Sequence, residues 1–467
     1  MKFIFHKAQL VDKRVAPALL ITAGVGLLWS HAWILSCIIL SAGAIIEKNP
    51  LKQSKKKLAR TRRWQRIFYG SLLAAAILFW LMPNLWTLPM LVVLLPFLLM
   101  ISNAFWKPIE SVAHDFRYIR KAQKKLCEIN PITIGITGSF GKTSVKNIIQ
   151  HVLSAMESSY ATPKSINTVM GVVRVINQEL LPSHKYFVVE MGTDRPNGSL
   201  GKLCELIKPQ YGILTAIGGA HLENYKSLDQ LAAEKAKLLK ASGKTIINSA
   251  QVAQKYIKEY AADNADVFYS DTISDIEIKS DGLHFNFDGH KIFAPVYSTV
   301  QAYNIALSFM MLRKIGMPAS NIILALRTLP QTSHRSEVLR RGDITIIDDG
   351  YNSNLDGFLS ALNTTKILAN ESGGRTIIIT PGIVELGAKH AEYHKIIGQR
   401  ASALMDVVIA VAFDRIKDFT NEISPEKLVT VMTKRDADNW LAKNAQPGDV
   451  ILYENDLPDF FEEKIRI

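Results

Sequence analysis

Cysteine is nearly missing from this sequence. Its three residues, Cys37, Cys127 and Cys204, lie far apart in a chain of 467, which excludes a disulfide framework and a cysteine-clustered zinc site and fits a reducing compartment. Formal charge is missing from two long stretches, Val15 to Ile46 and Ile67 to Trp106. Uncharged apolar runs of that length read as membrane segments, and they contain no formally charged residue to mark a transport path. Internal repeats and low-complexity tracts are also missing, as is any basic motif with interleaved aromatics. The net charge of +13 therefore gives little support to a nucleic-acid role.

The basic residues gather at the flanks of the apolar runs instead. Lys2, Lys7, Lys13 and Arg14 precede the first run. Lys52, Lys55, Lys56, Lys57, Arg60, Arg62, Arg63 and Arg66 fill the gap between the runs, and Lys107, Arg117, Arg120, Lys121, Lys124 and Lys125 follow the second. By the positive-inside rule all three clusters face the cytoplasm. The first run is too long for one upright span of about 20 residues and short for two. Trp29-Ser30-His31-Ala32-Trp33 suits an interfacial turn between two short helices, with one long tilted helix as the alternative. The second run breaks at Met82-Pro83-Asn84-Leu85-Trp86-Thr87-Leu88-Pro89. This predicts two helical hairpins, about four transmembrane helices, in the cytoplasmic membrane. A cleaved signal peptide does not fit, because the apolar part is too long and recurs after a basic loop.

The remainder has ordinary soluble composition. His114 to Leu126 reads as a basic amphipathic connector, and Ile132-Thr133-Ile134-Gly135-Ile136 as a strand. Gly138-Ser139-Phe140-Gly141-Lys142-Thr143-Ser144 follows that strand and opens a helix. Glycines there let successive N–H groups turn toward phosphate oxygens, Lys142 brings a mobile positive charge, and the Thr143 hydroxyl suits Mg²⁺. The spacing departs from G-x-x-x-x-G-K-[ST], since Ile136 stands five places before Gly141 and the nearest glycine, Gly135, is one place early.

Strand and helix patterns then alternate to about Leu329, as in Tyr186–Glu190 and Gly212–Ile217, the pattern of a parallel α/β sheet. A shorter unit, with strands at Ile344–Ile347, Thr376–Ile379, Val407–Val411 and Val450–Leu452, predicts a second, Rossmann-like domain. The expected organisation is a membrane region over 1–126, a nucleotide-binding domain over 127–329 and a terminal domain over 330–467. Ionisable residues recur past predicted strand ends, where ligands gather in open α/β sheets: Glu190, then His221, then Lys235. Each has a plain structural rival, Glu190 as a helix cap, His221 as a structural histidine, Lys235 as a solvated lysine and Arg335 as a surface ion pair.

In this order the segments resemble the ATP-dependent Mur ligase family, most closely its D-alanyl-D-alanine-adding, MurF-type branch, from about Ile132 to the C-terminus. Besides the phosphate loop, the likeness rests on Asn167-Thr168 with Gly171-Val172, Glu190-Met191-Gly192, Ala220-His221-Leu222-Glu223, Tyr303-Asn304, His334-Arg335-Ser336-Glu337, Asp348-Asp349-Gly350-Tyr351-Asn352-Ser353-Asn354 and Glu385-Leu386-Gly387. The resemblance implies a P-loop Mur-ligase central domain and a Rossmann-like C-terminal domain. It also implies a reaction in which ATP phosphorylates a carboxylate and an amine displaces phosphate to leave an amide.

Carried over by resemblance, Gly138, Ser139, Gly141, Lys142, Thr143 and Ser144 would cradle the phosphates. Thr143 and Glu190 would hold one Mg²⁺, and His221 would help to hold a second. Lys235 would be the lysine that family members carbamylate, with Lys237 as competitor. Asn304 and Arg335 would contact the nucleotide, and Asp349 and Asn352 the adenosine. Expected partners are the membrane, a cell-envelope precursor, in one alternative lipid-linked, and an amino acid or dipeptide. Two departures stand out: apolar segments replace the family's soluble uridine-nucleotide-binding domain, and Leu355 stands where proline is usual. A poly-γ-glutamate-type polymerising ligase and a non-enzymatic nucleotide-binding membrane scaffold are the alternatives.

Overall fold

The computed structural model describes residues 62–82, 87–110, 116–193, 195–218, 224–261, 265–350, 354–384, 386 and 389–455. The first uncharged run, the 83–86 break, His221 and Asn352 lie outside these residues. The described chain divides into two units, one ending at Arg117 and one beginning at Tyr118.

In the first unit, α1 (Arg62–Leu81) and α2 (Thr87–Glu110) pack against each other. Small and polar residues make the close approach: Gly70 abuts Ser102 and Trp106, and Ser102 Oγ donates to the Ile67 carbonyl at 2.9 Å. Small residues at such a contact let two helix backbones approach closely. Tyr69, Leu73, Trp80, Phe97, Ile101 and Phe105 are exposed. Among the described residues one helix, over Trp64–Leu81, is long and apolar enough to cross a membrane.

The second unit begins within α3 (Phe116–Ile129), which leads into β1 (Ile132–Thr137). The core elements follow as α4 (Lys142–Ser154), β2 (Ser159–Ala161), α5 (Val169–Gln178), β3 (Tyr186–Glu190), α6 (Ser199–Ile207), β4 (Tyr211–Leu214), α7 (Leu228–Ala241), β5 (Lys244–Asn248), α8 (Gln254–Tyr260) and β6 (Ala265–Phe268). The six strands form an all-parallel sheet in the order β2-β3-β1-β4-β5-β6. Every residue of β3 is buried, with Tyr186 and Val188 in one apolar cluster and Phe187 and Val189 in another. A sheet buried on both faces needs such a continuous apolar strand. Helices α4 and α9 (Thr299–Lys314) cover one face, while α3, α5 and α6 contribute to the cluster on the other.

The sequence reading missed a small antiparallel sheet of β7 (Ile273–Lys279), β8 (Gly282–Phe287) and β9 (His290–Ala294). Its signal was present in Leu283-His284-Phe285-Asn286-Phe287, whose period-two alternation matches the observed burial,. After α10 (Ala319–Leu326), the terminal unit has β10 (Glu337–Arg341), β11 (Ile344–Asp349), α11 (Leu355–Ser372), β12 (Thr376–Thr380), α12 (His390–Leu404), β13 (Val407–Val411), α13 (Lys417–Thr420), β14 (Leu428–Val431), α14 (Lys434–Asn444) and β15 (Val450–Glu454). Its strand order is β10-β11-β15-β12-β13-β14, parallel except for the antiparallel edge strand β10. Leu355 opens α11 where proline is favoured for its preset φ. Asn354 starts the helix instead, its Oδ1 accepting from Gly357 N at 2.9 Å.

One buried histidine makes this unit sensitive to acid. His394 is wholly buried on α12, accepts from Ile383 N at Nε2 (3.2 Å) and faces the His390 carbonyl through Nδ1 (2.8 Å). The ring must be neutral to accept at Nε2, and burial first of all pushes its pKa down to about 4. The native state thus binds fewer protons than the unfolded chain. Stability is complete above about pH 6.5 and is lost as pH falls toward 4, by about 3 kcal/mol from this group. Thermal melts across that window are expected to slope less for His394→Gln than for the parent, and equal slopes would refute the assignment.

Candidate active site

The site forms where β1 ends and α4 begins. Apolar residues Val145, Ile148, Ile149, Val152 and Leu153 anchor α4 in the core, which fixes its first turn at the carboxyl edge of the sheet. The loop between them requires its glycines. Gly138 has φ +154 and a Cβ there would lie 2.0 Å from Thr215 Oγ1, while Gly141 has φ +78 and a Cβ would lie 2.8 Å from Asn304 Oδ1. Ser139 Oγ bonds with Gly218 through both its carbonyl and its N–H (3.1 and 3.0 Å).

Lys142 curls over this loop, its Nζ donating to the carbonyls of Gly138 (2.7 Å) and Ser139 (3.2 Å). Burial lowers its pKa to about 8, opposed by Glu190 and assisted by Arg335. The Thr143 hydroxyl donates to Glu190 Oε2 at 2.8 Å and Asn167 Nδ2 donates to Oε1 at 3.0 Å. Both oxygens of a carboxylate only 1% exposed are thereby aimed. Arg335, arriving from the terminal unit, approaches Thr143 Oγ1 to 3.4 Å.

Lys235 on α7 is 2% exposed and lines the same cleft. Its pKa is driven well below the usual lysine value by burial and then by Lys142, with Glu234 opposing. Lys237 differs: its side chain is 37% exposed and pairs with Glu234 at 2.7 Å. Asn304 on α9 is buried and lines the cleft, its Nδ2 donating to Gln301 Oε1. Asp349 at the end of β11 accepts from Ser336 N and Ser336 Oγ, both at 3.1 Å. Burial raises its pKa to about 6 against these bonds and Arg335. Gly138, Ser139, Gly141, Lys142, Thr143, Ser144, Glu190, Lys235, Asn304, Arg335 and Asp349 all line one cavity of about 460 Å³ between the two sheets.

Sequence reasoning missed Lys146. One turn past Lys142, it falls on the same face of α4, and that spacing was the available signal. Lys146 is 2% exposed, donates to the carbonyls of Thr162 (2.7 Å) and Lys164, and lies 4.0 Å from Glu190 Oε2. Lys146→Met is expected to leave the buried Thr162 carbonyl and the Lys164 carbonyl without this donor and cost about 2–4 kcal/mol in denaturant unfolding. An unchanged midpoint and slope would show that the contacts are dispensable.

The charge pattern restricts what the cleft can hold. Lys142, Lys235 and Arg335 line the cleft with the carboxylates Glu190 and Asp349, and Lys146 lies 4.0 Å from Glu190, so four cations meet two carboxylates. A polyanion answers such an excess, and the helix start with its open N–H groups suits phosphate. The adjacent hydroxyl and carboxylate of Thr143 and Glu190 form an oxygen donor pair of the kind Mg²⁺ uses together with substrate phosphates.

Residues 136–312 match the Mur ligase middle domain and residues 334–453 the Mur ligase glutamate ligase domain. The chain is 26% identical over 329 residues to the UDP-N-acetylmuramoyl-tripeptide–D-alanyl-D-alanine ligase of Synechocystis sp., covering 69% of this chain and 71% of that one. It is 29% identical over 294 residues to the ligase of that name from Mycobacterium tuberculosis, covering 58% of this chain but 56% of the relative. The fold is similar to that of the MurF ligase from Thermotoga maritima solved in complex with ADP, with TM-score 0.64 and 21% identity over 75% of this chain and 83% of that one. A MurF from Acinetobacter baumannii gives TM-score 0.61 and 19% identity, over 74% and 78% of the two chains.

Proposed function

Because this chain belongs to the Mur ligase family, of which it carries the middle and glutamate-ligase domains, we propose that it is a membrane-anchored, ATP- and Mg²⁺-dependent ligase. It joins a carboxylate of a peptidoglycan-type precursor to the amine of an amino acid or dipeptide. The observation that carries this reading is the cleft in which Lys142, Thr143, Glu190, Lys235 and Arg335 converge at a helix start. Bound Mg²⁺-ATP supplies the phosphoryl group: a carboxylate oxygen takes the γ-phosphorus as ADP leaves, and the amine then attacks the acyl carbon as phosphate leaves.

The protein's own residues do the positioning and the charge control that dominate such chemistry. Lys142 exchanges its two loop carbonyls for phosphate oxygens. Thr143 and Glu190 hold the metal, and Asn167 keeps the carboxylate aimed. Arg335 crosses from the terminal sheet's side of the cleft to the transferring phosphoryl group, so closure of the terminal part on the nucleotide-binding part completes the site. Lys235, its pKa held down by burial and then by Lys142, is the amine to be carbamylated, which turns the side chain into an anionic metal partner. Asn304 and Asp349 meet the nucleotide, His221 serves a second Mg²⁺ and Asn352 the adenosine. Membrane attachment rests on α1, the adjoining apolar α2 and the basic flanks, and it places the catalytic units on the cytoplasmic side.

ADP release by detergent-purified full chain tests the reading, with Mg²⁺-ATP and a panel of envelope precursors, amino acids and dipeptides. Release that requires both a carboxylate and an amine supports it. ATP binding without turnover on any pair would overturn it in favour of a nucleotide-binding scaffold.

A further inference from the structure

Helix α3 has a face that the proposed catalysis does not use. Ala122 and Leu126 are buried, and Tyr118, Ile119 and Ile129 pack on the same apolar cluster as α5 and α6. Two bonds seat it there: Asn177 Nδ2 donates to the Tyr118 carbonyl at 3.0 Å and Lys125 Nζ donates to the Asn177 carbonyl at 3.2 Å. The helix is thus held firmly by one side. Arg117, Arg120, Lys121 and Lys124 are exposed on the opposite side, and with 100° per residue they fall within about a third of the helix circumference,. One carboxylate, Glu128, shares this side, 3.7 Å from Lys124.

We infer that this basic face is a docking surface for the anionic headgroups of the bilayer that the preceding helices enter. The occupant follows from charge and from chain order. Four cations on a rigid helix complement an anionic leaflet, and only residues 111–115 separate α3 from α2, so the face cannot be far from the membrane if those helices span it. Each Lys or Arg near such a surface strengthens attachment roughly fivefold, and long side chains reach headgroups while their stems stay on the helix. Docking also orients the catalytic cleft. Helix α3 enters β1 at its amino end, whereas the phosphate loop leaves the carboxyl end of that six-residue strand, roughly 20 Å farther on. A docked α3 leaves the nucleotide entrance in water and requires the acceptor to reach out that distance from the headgroups. This inference rests on the membrane part of the proposed function.

Cys127, exposed on α3 beside the basic face, provides the probe. The full chain, with Cys37→Ser and Cys204→Ser, carries a fluorophore on Cys127 and is reconstituted into nanodiscs whose lipids bear a headgroup nitroxide. Quenching several-fold stronger in discs rich in phosphatidylglycerol than in phosphatidylcholine discs is expected. Raised salt, or the combined Arg117→Gln, Arg120→Gln, Lys121→Gln and Lys124→Gln variant, should return it to the phosphatidylcholine level. Quenching indifferent to lipid charge, or unaltered in the quadruple variant, overturns the inference. If the chain instead stays soluble without detergent, the anchoring reading fails separately. Flotation with anionic against zwitterionic vesicles then reads the face directly, and equal flotation overturns it.

Discussion

Lys142→Ala lowers ADP release by about a hundredfold to a thousandfold, while its melting temperature stays close to that of the parent. Both halves follow from where the side chain sits. Among the described residues its acceptors are the carbonyls of Gly138 and Ser139, on the loop it caps. Losing them alters no packing in the core. Its amine is buried and its pKa is down to about 8, so much of its desolvation cost is already met before any phosphate arrives. A bound polyphosphate would draw the proton back and gain a charge-assisted bond in a site of low polarity. Removal of one such preorganised charge typically costs two to three orders of magnitude in turnover, about 3–4 kcal/mol. Lys142→Arg is expected to fare little better, because a planar fork does not fit the space of a compact ammonium. Turnover and nucleotide titration of the two variants check this, and an alanine variant within tenfold of the parent would remove the lysine from the chemistry.

The second large effect is expected at Lys235. A carbamate forms when a neutral amine attacks the carbon of CO₂ and gives up a proton, so a lysine held well below its usual pKa is the competent one at neutral pH. Burial and the neighbouring Lys142 put Lys235 in that state. Lys237 is instead more than a third exposed and paired with Glu234. Lys235→Ala should lower turnover by about a hundredfold or more, and Lys237→Ala by less than a factor of a few. Depleting CO₂ should inactivate the parent reversibly, with bicarbonate restoring it. The loss should deepen as pH falls, because protonation removes the nucleophile. Intact-protein mass spectrometry under CO₂ should add one carboxylate at Lys235. Activity indifferent to CO₂, or greater loss in Lys237→Ala, would return Lys235 to a structural role.

Residues that are local in sequence were the legible ones. The strand, glycine loop and helix at 132–154 declare themselves because a turn with φ above zero needs glycine and because α4 repeats its apolar residues at helical spacing. The same logic located the strands of the terminal unit. It missed β10 and β14, edge strands only partly buried, and the β7–β9 sheet, whose polar faces dilute the apolar signal.

By itself the sequence determined the order of the parts, the family and the residue types able to handle a nucleotide and a metal. Those depend on short-range rules: apolar period, turn chemistry and motif spacing. Only the tertiary structure decided which of those residues act on one another. It brings Arg335 from the terminal unit to Thr143, aims Glu190 with Thr143 and Asn167, and separates Lys235 from Lys237 by burial although they are two residues apart. It also reveals Lys146 beside Glu190. Burial and charge proximity are properties of three-dimensional packing, and the pKa values that set this chemistry follow from them.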